Sequence, residues 1–197
     1  MKQLLLATRN KDKVSELHSL LVDADCQLLT LDEFPQIGET VEDGETLEEN
    51  AVKKARQSFQ VANIPTIADD SGLEVYYLNN EPGVYSSRYA GSGATYSDNC
   101  KKLLEKLRGV PPRRRAARFR CVIAFMPTDG VVQAVEGICQ GVITETPRGE
   151  NGFGYDPIFL PNGYSETLAE MDRALKNTLS HRGKAIQNIR PILRQLL

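Results

Sequence analysis

Apolar residues recur along this chain in two rhythms, one of strands and one of helices. Residues 3–7 are a short apolar run, and after a polar interval Val14, Leu17, Leu20 and Leu21 repeat at helical spacing. A strand, a loop and a helix are expected there, with a second strand at 26–30. Thr46 and Glu49 have the spacing of a capping box, in which each side chain accepts from the other residue's backbone N–H, so a helix is expected from there to about residue 60. Pro65 closes the link, 66–68 enters a strand, and 73–78 is again β-prone. Ser71-Gly72 reads as a break, which puts the run Ala68-Asp69-Asp70-Ser71-Gly72 in a turn or bulge between extended segments.

A turn at 79–83 is followed by a helix at 97–108, stopped by Gly109 and Pro111-Pro112. Strands are expected at 116–125 and 131–144 around a turn at 127–130, then a loop rich in glycine and aromatics at 149–161. Thr167 and Glu170 repeat the capping-box spacing. A last helix from about His181 carries Ile186, Ile189, Leu193 and Leu196 on one side, with Pro191 expected to kink it. There is no repeat or linker, so residues 1–197 read as a single mixed α/β domain whose mostly β middle forms a second lobe.

Composition narrows the chemistry. With 197 residues, 41% hydrophobic and 25% charged, the chain can bury a core without staples. A net charge of -2 gives no global attraction to nucleic acid or anionic lipid, so bound phosphate must meet a local basic site. Cys26, Cys100, Cys121 and Cys139 are far apart, with no CxxC pair and two histidines in all, which fits reduced, buried thiols rather than zinc. The apolar stretch at the N-terminus is too short for a signal peptide, and no run approaches membrane-spanning length. A cytoplasmic protein with no membrane or nucleic-acid partner is expected.

Three segments carry candidate chemistry. Thr8-Arg9-Asn10-Lys11-Asp12-Lys13 lies between a strand and a helix, where free N–H groups and the helix dipole attract anions and three basic side chains add charge. It lacks the glycines of a Walker A or dinucleotide loop; Asn10 as a plain helix cap is the structural alternative. Asp69 and Asp70, with Glu42, Asp43, Glu45, Glu48 and Glu49 upstream, supply the hard oxygen ligands Mg2+ requires, and a second carboxylate near the metal can take a proton from water. Neighbours in a strand face opposite ways, so one of the pair is expected to hold the metal. In the third segment, Gly152 and Gly154 flank Phe153, whose ring can stack on a nucleobase, while Asp156 can accept from a base N–H. His181 and Arg182 downstream can donate to a carbonyl such as O6 of a 6-oxopurine, where the amino group of adenine would leave the site unpaired. Core packing of Phe153 and Tyr155 and capping at 180–183 are the structural alternatives. Five arginines between Arg113 and Arg120 could form a nucleic-acid patch, but alternation favours a solvated strand face.

Taken in order, LATRNKDKVSEL, EDGETLEENAVKKA, ADDSGLEV, PGVYSSRYAG, ARFRCVIAF, GFGYDPIF and KNTLSHRGKA closely resemble the inosine triphosphate pyrophosphatase family, and the match spans nearly the whole chain. The chain departs at Arg9, where relatives commonly carry glycine, and at Leu47, commonly phenylalanine. The resemblance implies an elongated α/β fold, a central mixed sheet with helices forming two lobes around a nucleotide cleft, usually in a homodimer. It also implies roles: Asp70 as general base and metal ligand, Glu42 as the second Mg2+ ligand, and Ser71 as a substrate contact. Thr8 to Lys13 match the phosphate loop, Phe153, Gly154, Tyr155 and Asp156 the base-facing loop, Lys176 a phosphate or sugar contact, and His181 with Arg182 the purine-reading end. The implied reaction is attack of activated water on the phosphorus next to the nucleoside of non-canonical purine triphosphates (dITP, ITP, XTP), giving monophosphate and pyrophosphate. A pyrophosphatase for another modified nucleotide, such as a methylated pyrimidine, and a non-catalytic nucleotide or nucleic-acid binding module are the rival readings.

Overall fold

The computed structural model describes residues 2–196. Its strands are β1 (Gln3–Leu6), β2 (Gln27–Thr30), β3 (Thr66–Val75), β4 (Glu81–Pro82), β5 (Ala116–Met126), β6 (Gln133–Ile143) and β7 (Phe159–Pro161). Its helices are α1 (Lys11–Leu20), α2 (Leu47–Ala62), α3 (Tyr96–Lys106), α4 (Arg173–Leu179) and α5 (His181–Leu196). The strand order is β2-β1-β3-β5-β6-β7, with β4 also on β3. β1 runs parallel to β2 and β3, whereas β3–β4 and β6–β7 are antiparallel, so this is the mixed sheet of an α/β fold. The chain forms two compact units.

The first unit comprises residues up to Asp70, Cys121–Gly137 and the chain from Arg182 onward. Its strand β1 is buried on both faces, as parallel strands covered by helices are. Leu4 and Leu6 pack with Leu17 and Leu20 of α1, Ile67 of β3, Ile123 and Phe125 of β5, and Ile186 and Ile189 of α5. Leu5, pointing the other way, packs with Leu29, Leu31 and Ile37. Asn10 caps α1 through its side-chain oxygen, which accepts from the N–H of Asp12 and Lys13. Thr46 and Glu49 form the expected capping box on α2, and Asn63, in the left-handed region at φ 53°, ends it.

The second unit comprises Ser71–Arg120 and Ile138–His181. Leu73 and Val75 of β3, Leu103 of α3, Ala117 and Phe119 of β5, Ile143 of β6 and Phe159 of β7 form its core with Leu168 and Met171. Arg115 is buried within it. Its Nε donates to the Ile143 carbonyl (2.8 Å), Nη1 to Leu107 (2.9 Å) and Nη2 to Thr144 (2.7 Å). Arg118 and Arg120 are half-buried and both donate to Glu74, at 2.7 and 2.8 Å. Arg113 and Arg114 are exposed, so within the run only Arg115 is internal, and the strand face expected to be solvated is half-buried and paired.

Three expectations need correction. The acidic run is neither turn nor bulge: β3 is continuous from Thr66 to Val75, and Asp69 and Asp70 are buried inside it. Gly72 serves proximity instead, since a Cβ there would lie 2.4 Å from the Gly83 carbonyl oxygen and 3.3 Å from Ser86 Oγ. That hydroxyl donates to the Gly83 carbonyl and accepts from the Leu73 N–H, stitching the close approach. Thr167 and Glu170 make only half of a capping box: Glu170 Oε2 accepts from the Thr167 N–H, but the Thr167 hydroxyl donates to the Arg148 carbonyl, the pair closes a turn, and α4 begins later with Asp172 as its cap. Residues 76–78 form a 3-10 turn rather than strand.

Gly72→Ala should cost about 1 to 3 kcal/mol by overpacking in urea unfolding. Gly38→Ala, where a Cβ meets nothing within 4 Å, should stay within about 0.5 kcal/mol. Burial also pushes the thiols of Cys100 and Cys121 up to about 12. In native protein at pH 8 iodoacetamide should leave both unlabelled over the time in which it labels them fully in urea.

Candidate active site

The centre of the first unit is the pair Asp69-Asp70, whose side chains leave the straight strand β3 on opposite faces. On one face α2 presents Asn50 and Lys54, four residues apart. Asp70 Oδ1 lies 3.1 Å from Lys54 Nζ, and its Oδ2 accepts from Asn50 Nδ2 at 3.3 Å. The same Lys54 ammonium is 2.9 Å from Glu42 Oε1, so one cation bridges two carboxylates. Asn50 Oδ1 in turn accepts from the Gly44 N–H (2.8 Å), which ties the segment carrying Glu42 to α2. Burial, reinforced by the nearby Glu42 charge, raises the Asp70 carboxyl above its ordinary range in spite of Lys54 and Lys13. Burial alone would depress Lys54, but Asp70, Asp69 and Glu42 outweigh it and hold the ammonium charged.

On the opposite face Asp69 meets Lys13 Nζ at 3.1 Å and Arg182 Nη2 and Nε at 3.0 and 3.3 Å. Arg182, 2% exposed, also donates from Nη1 to Glu16 Oε2 at 2.6 Å. Burial pushes Asp69 up, yet Lys13, Arg182 and Lys54 together hold it well below the usual carboxylate range. Thus the two acids differ in kind: one is locked as an anion between cations, the other is kept more basic. Environments that push a pair of acids apart are the usual arrangement where one of them handles protons.

The second unit holds a separate cluster. Asp156 Oδ2 accepts from Lys176 Nζ (2.6 Å) and from the Phe153 N–H (2.8 Å), and both charged side chains are buried. Lys176 Nζ lies 5.2 Å from the centre of the half-buried Phe153 ring, which also meets Tyr96 at 5.8 Å. Gly152 is required here, because its φ is +71° and a Cβ would fall 2.1 Å from Asp156 Oδ2. His181 stacks on Phe119 at 4.5 Å and 9°. The two stacked rings are buried, whereas the Phe153 ring is half-buried and is the aromatic face that a heterocyclic ligand could meet.

Residues 4–192 match the sequence model of the Ham1 family. The chain belongs to the Ham1 family. It is 47% identical over 194 residues to the dITP/XTP pyrophosphatase of Desulforamulus reducens, an alignment covering 98% of this chain and 96% of that one. It is 46% identical to the dITP/XTP pyrophosphatase of Desulfotalea psychrophila, with 98% and 86% covered. Among solved structures, the HAM1 protein from Coxiella burnetii superposes with a TM-score of 0.89 at 40% identity, covering 99% of this chain and all of that one.

Against this Ham1 frame the expected site residues sort by what they touch. Asn10 is a helix cap, and Thr8 Oγ1 accepts from its N–H at 3.2 Å. Lys11 and Asp12 are exposed, whereas Lys13 turns to Asp69. Arg9, the departure from the family pattern, reaches the Ile37 carbonyl at 2.7 Å and so ties its loop to a buried residue. Of the upstream acids Glu42 reaches Asp70's partner; Asp43 pairs with Lys53, and Glu49 caps α2. Ser71 is half-buried in β3 and Gly154 takes φ +64°. Tyr155 is buried, with its hydroxyl on the Ser86 carbonyl (2.9 Å), so it builds the loop from inside.

Sequence reading missed Asn50, Lys54, Glu16 and Tyr96. The signal for the first three is a polar residue on an apolar helical stripe: Asn50 and Lys54 share a face with Leu47, Ala51 and Ala55, and Glu16 lies four before Leu20. Asp156→Ala should lower stability by roughly 3 to 5 kcal/mol in urea unfolding, because Lys176 is then left charged and buried without its carboxylate.

Proposed function

We propose that this Ham1-family protein hydrolyses non-canonical purine nucleoside triphosphates (dITP, ITP and XTP) to the monophosphate and pyrophosphate, in the cytoplasm and as a homodimer. The observation that carries the reading is the split aspartate pair, with Lys13 on one face and Glu42, Asp70 and Lys54 converging on the other. The dITP/XTP pyrophosphatase relatives support the substrate class.

Glu42 and Asp70 fit Mg2+. Both already direct an oxygen at one cation, the Lys54 ammonium, and their two charges exceed its one. Among the described residues no group of three His, Cys, Asp or Glu gathers to hold an ion by itself. That suits Mg2+, which commonly takes one or two carboxylates and completes its shell with water and substrate phosphate. When bound, the ion neutralises phosphate charge and makes nearby water more acidic.

Asp70 is assigned as proton acceptor. A water oxygen forms a bond to the α-phosphorus, the bond from that phosphorus to the bridging oxygen breaks, and pyrophosphate leaves with the electron pair while the water proton passes to Asp70. Lys13 and Lys54 offset the charge on the triphosphate, which is the main demand of such a transfer. Thr8 to Lys13 and Ser71 are assigned to the phosphate side. In the second unit Phe153 offers its face to the base, Gly152 and Gly154 allow the backbone near it, and Lys176 and Asp156 serve sugar or base. His181 donates to the 6-carbonyl that distinguishes hypoxanthine and xanthine from adenine. Arg182, which also bonds Asp69 and Glu16, is assigned with His181 to the purine-reading end.

Pyrophosphate release measured with Mg2+ should be fast for dITP and XTP and slow for dGTP and dATP. Equal rates on all four would sink the base selectivity, and orthophosphate as the sole product would sink the cleavage position. Asp70→Asn should fold and lose at least about a hundredfold in kcat, and EDTA should abolish turnover until Mg2+ is restored.

A further inference from the structure

Glu16 is 9% exposed on α1, one turn after Lys13. A carboxylate buried on an apolar helix face must be compensated, and Glu16 Oε2 takes Arg182 Nη1 at 2.6 Å. Arg182 spends its remaining edge on Asp69, through Nη2 at 3.0 Å and Nε at 3.3 Å. Asp69 then receives Lys13 at 3.1 Å. These four side chains form a series whose two ends, Lys13 and Glu16, are three residues apart on the same helix and so on one face. Two positive and two negative charges make the series neutral on its own account.

The planar guanidinium fixes what it binds in two directions, whereas a lysine ammonium is a point charge on a flexible stem. Here the rigid member is the buried one and the flexible member is the one with 15% of its side chain exposed. We propose that Glu16 is a positioning residue: through Arg182 and Asp69 it holds the Lys13 ammonium in place for the triphosphate. The proposal rests on the reading that Lys13 meets phosphate. Orienting Lys13 before the substrate arrives removes an entropic cost from binding and leaves the chemical step largely untouched.

A kinetic double-mutant cycle tests this. Glu16→Gln should raise KM for dITP roughly tenfold with kcat changed less than about threefold, the loss expected for one charge-assisted contact. In a Lys13→Ala background the same substitution should raise KM by less than about twofold, because its effect is transmitted through Lys13. Additive effects in the cycle, or an unchanged KM in folded Glu16→Gln, would overturn the proposal. If Glu16→Gln does not fold, Glu16→Asp keeps the charge while shortening the reach, and the same cycle is read with it. Binding of inorganic tripolyphosphate by calorimetry supplies a readout without turnover. If the protein releases no pyrophosphate from dITP but still binds tripolyphosphate in a Glu16-dependent way, the substrate reading fails and the positioning role stands. Absence of tripolyphosphate binding by the unmodified protein would overturn both.

Discussion

Two adjacent carboxylates inside a straight, buried strand impose the constraint around which the first unit is built. Each ionised carboxylate costs several kcal/mol to bury unless cations and hydrogen bonds replace its water. Because neighbours in a strand face opposite ways, Asp69 and Asp70 take their direct ion pairs from different helices, one on each face of β3. α2 supplies Asn50 and Lys54 to Asp70, while α1 and α5 supply Lys13 and Arg182 to Asp69. Three helices thus each bring a side chain to one dipeptide.

The two faces differ in balance. Around Asp69 the carboxylate meets two cations directly, Lys13 and Arg182. Around Asp70 two carboxylates share one ammonium, which leaves a negative remainder suited to a further cation. An anion locked in place and an anion kept basic are different tools, and strand geometry allows both within consecutive residues.

Much of this was legible in the residues themselves. The strand-loop-helix opening, the Thr46–Glu49 box and the α5 stripe all have local causes, and local causes survive into the fold. The opposite facing of the two aspartates followed from period-two geometry. What failed were features whose cause lies far along the chain. Ser71-Gly72 has the composition of a turn, but Gly72 answers to Gly83, which no local pattern announces. Glu42 was recoverable through resemblance, whereas Lys54 and Glu16 interrupt apolar helical stripes and were not singled out. Arg182 had the chemistry of a base reader, and its burial between Asp69 and Glu16 depends on partners more than a hundred residues away.

The buried guanidinium of Arg115 has a consequence for the order in which the second unit assembles. Its fork serves carbonyls at Leu107, Ile143 and Thr144, which lie on either side of it in the chain and up to 29 residues off. Until the end of β6 has docked, those carbonyls are absent and the side chain must remain in water, since a buried cation with empty donors is too costly. The end of α3 and the end of β6 are thus tied to one buried side chain, and losing either would leave part of the Arg115 fork unpaired.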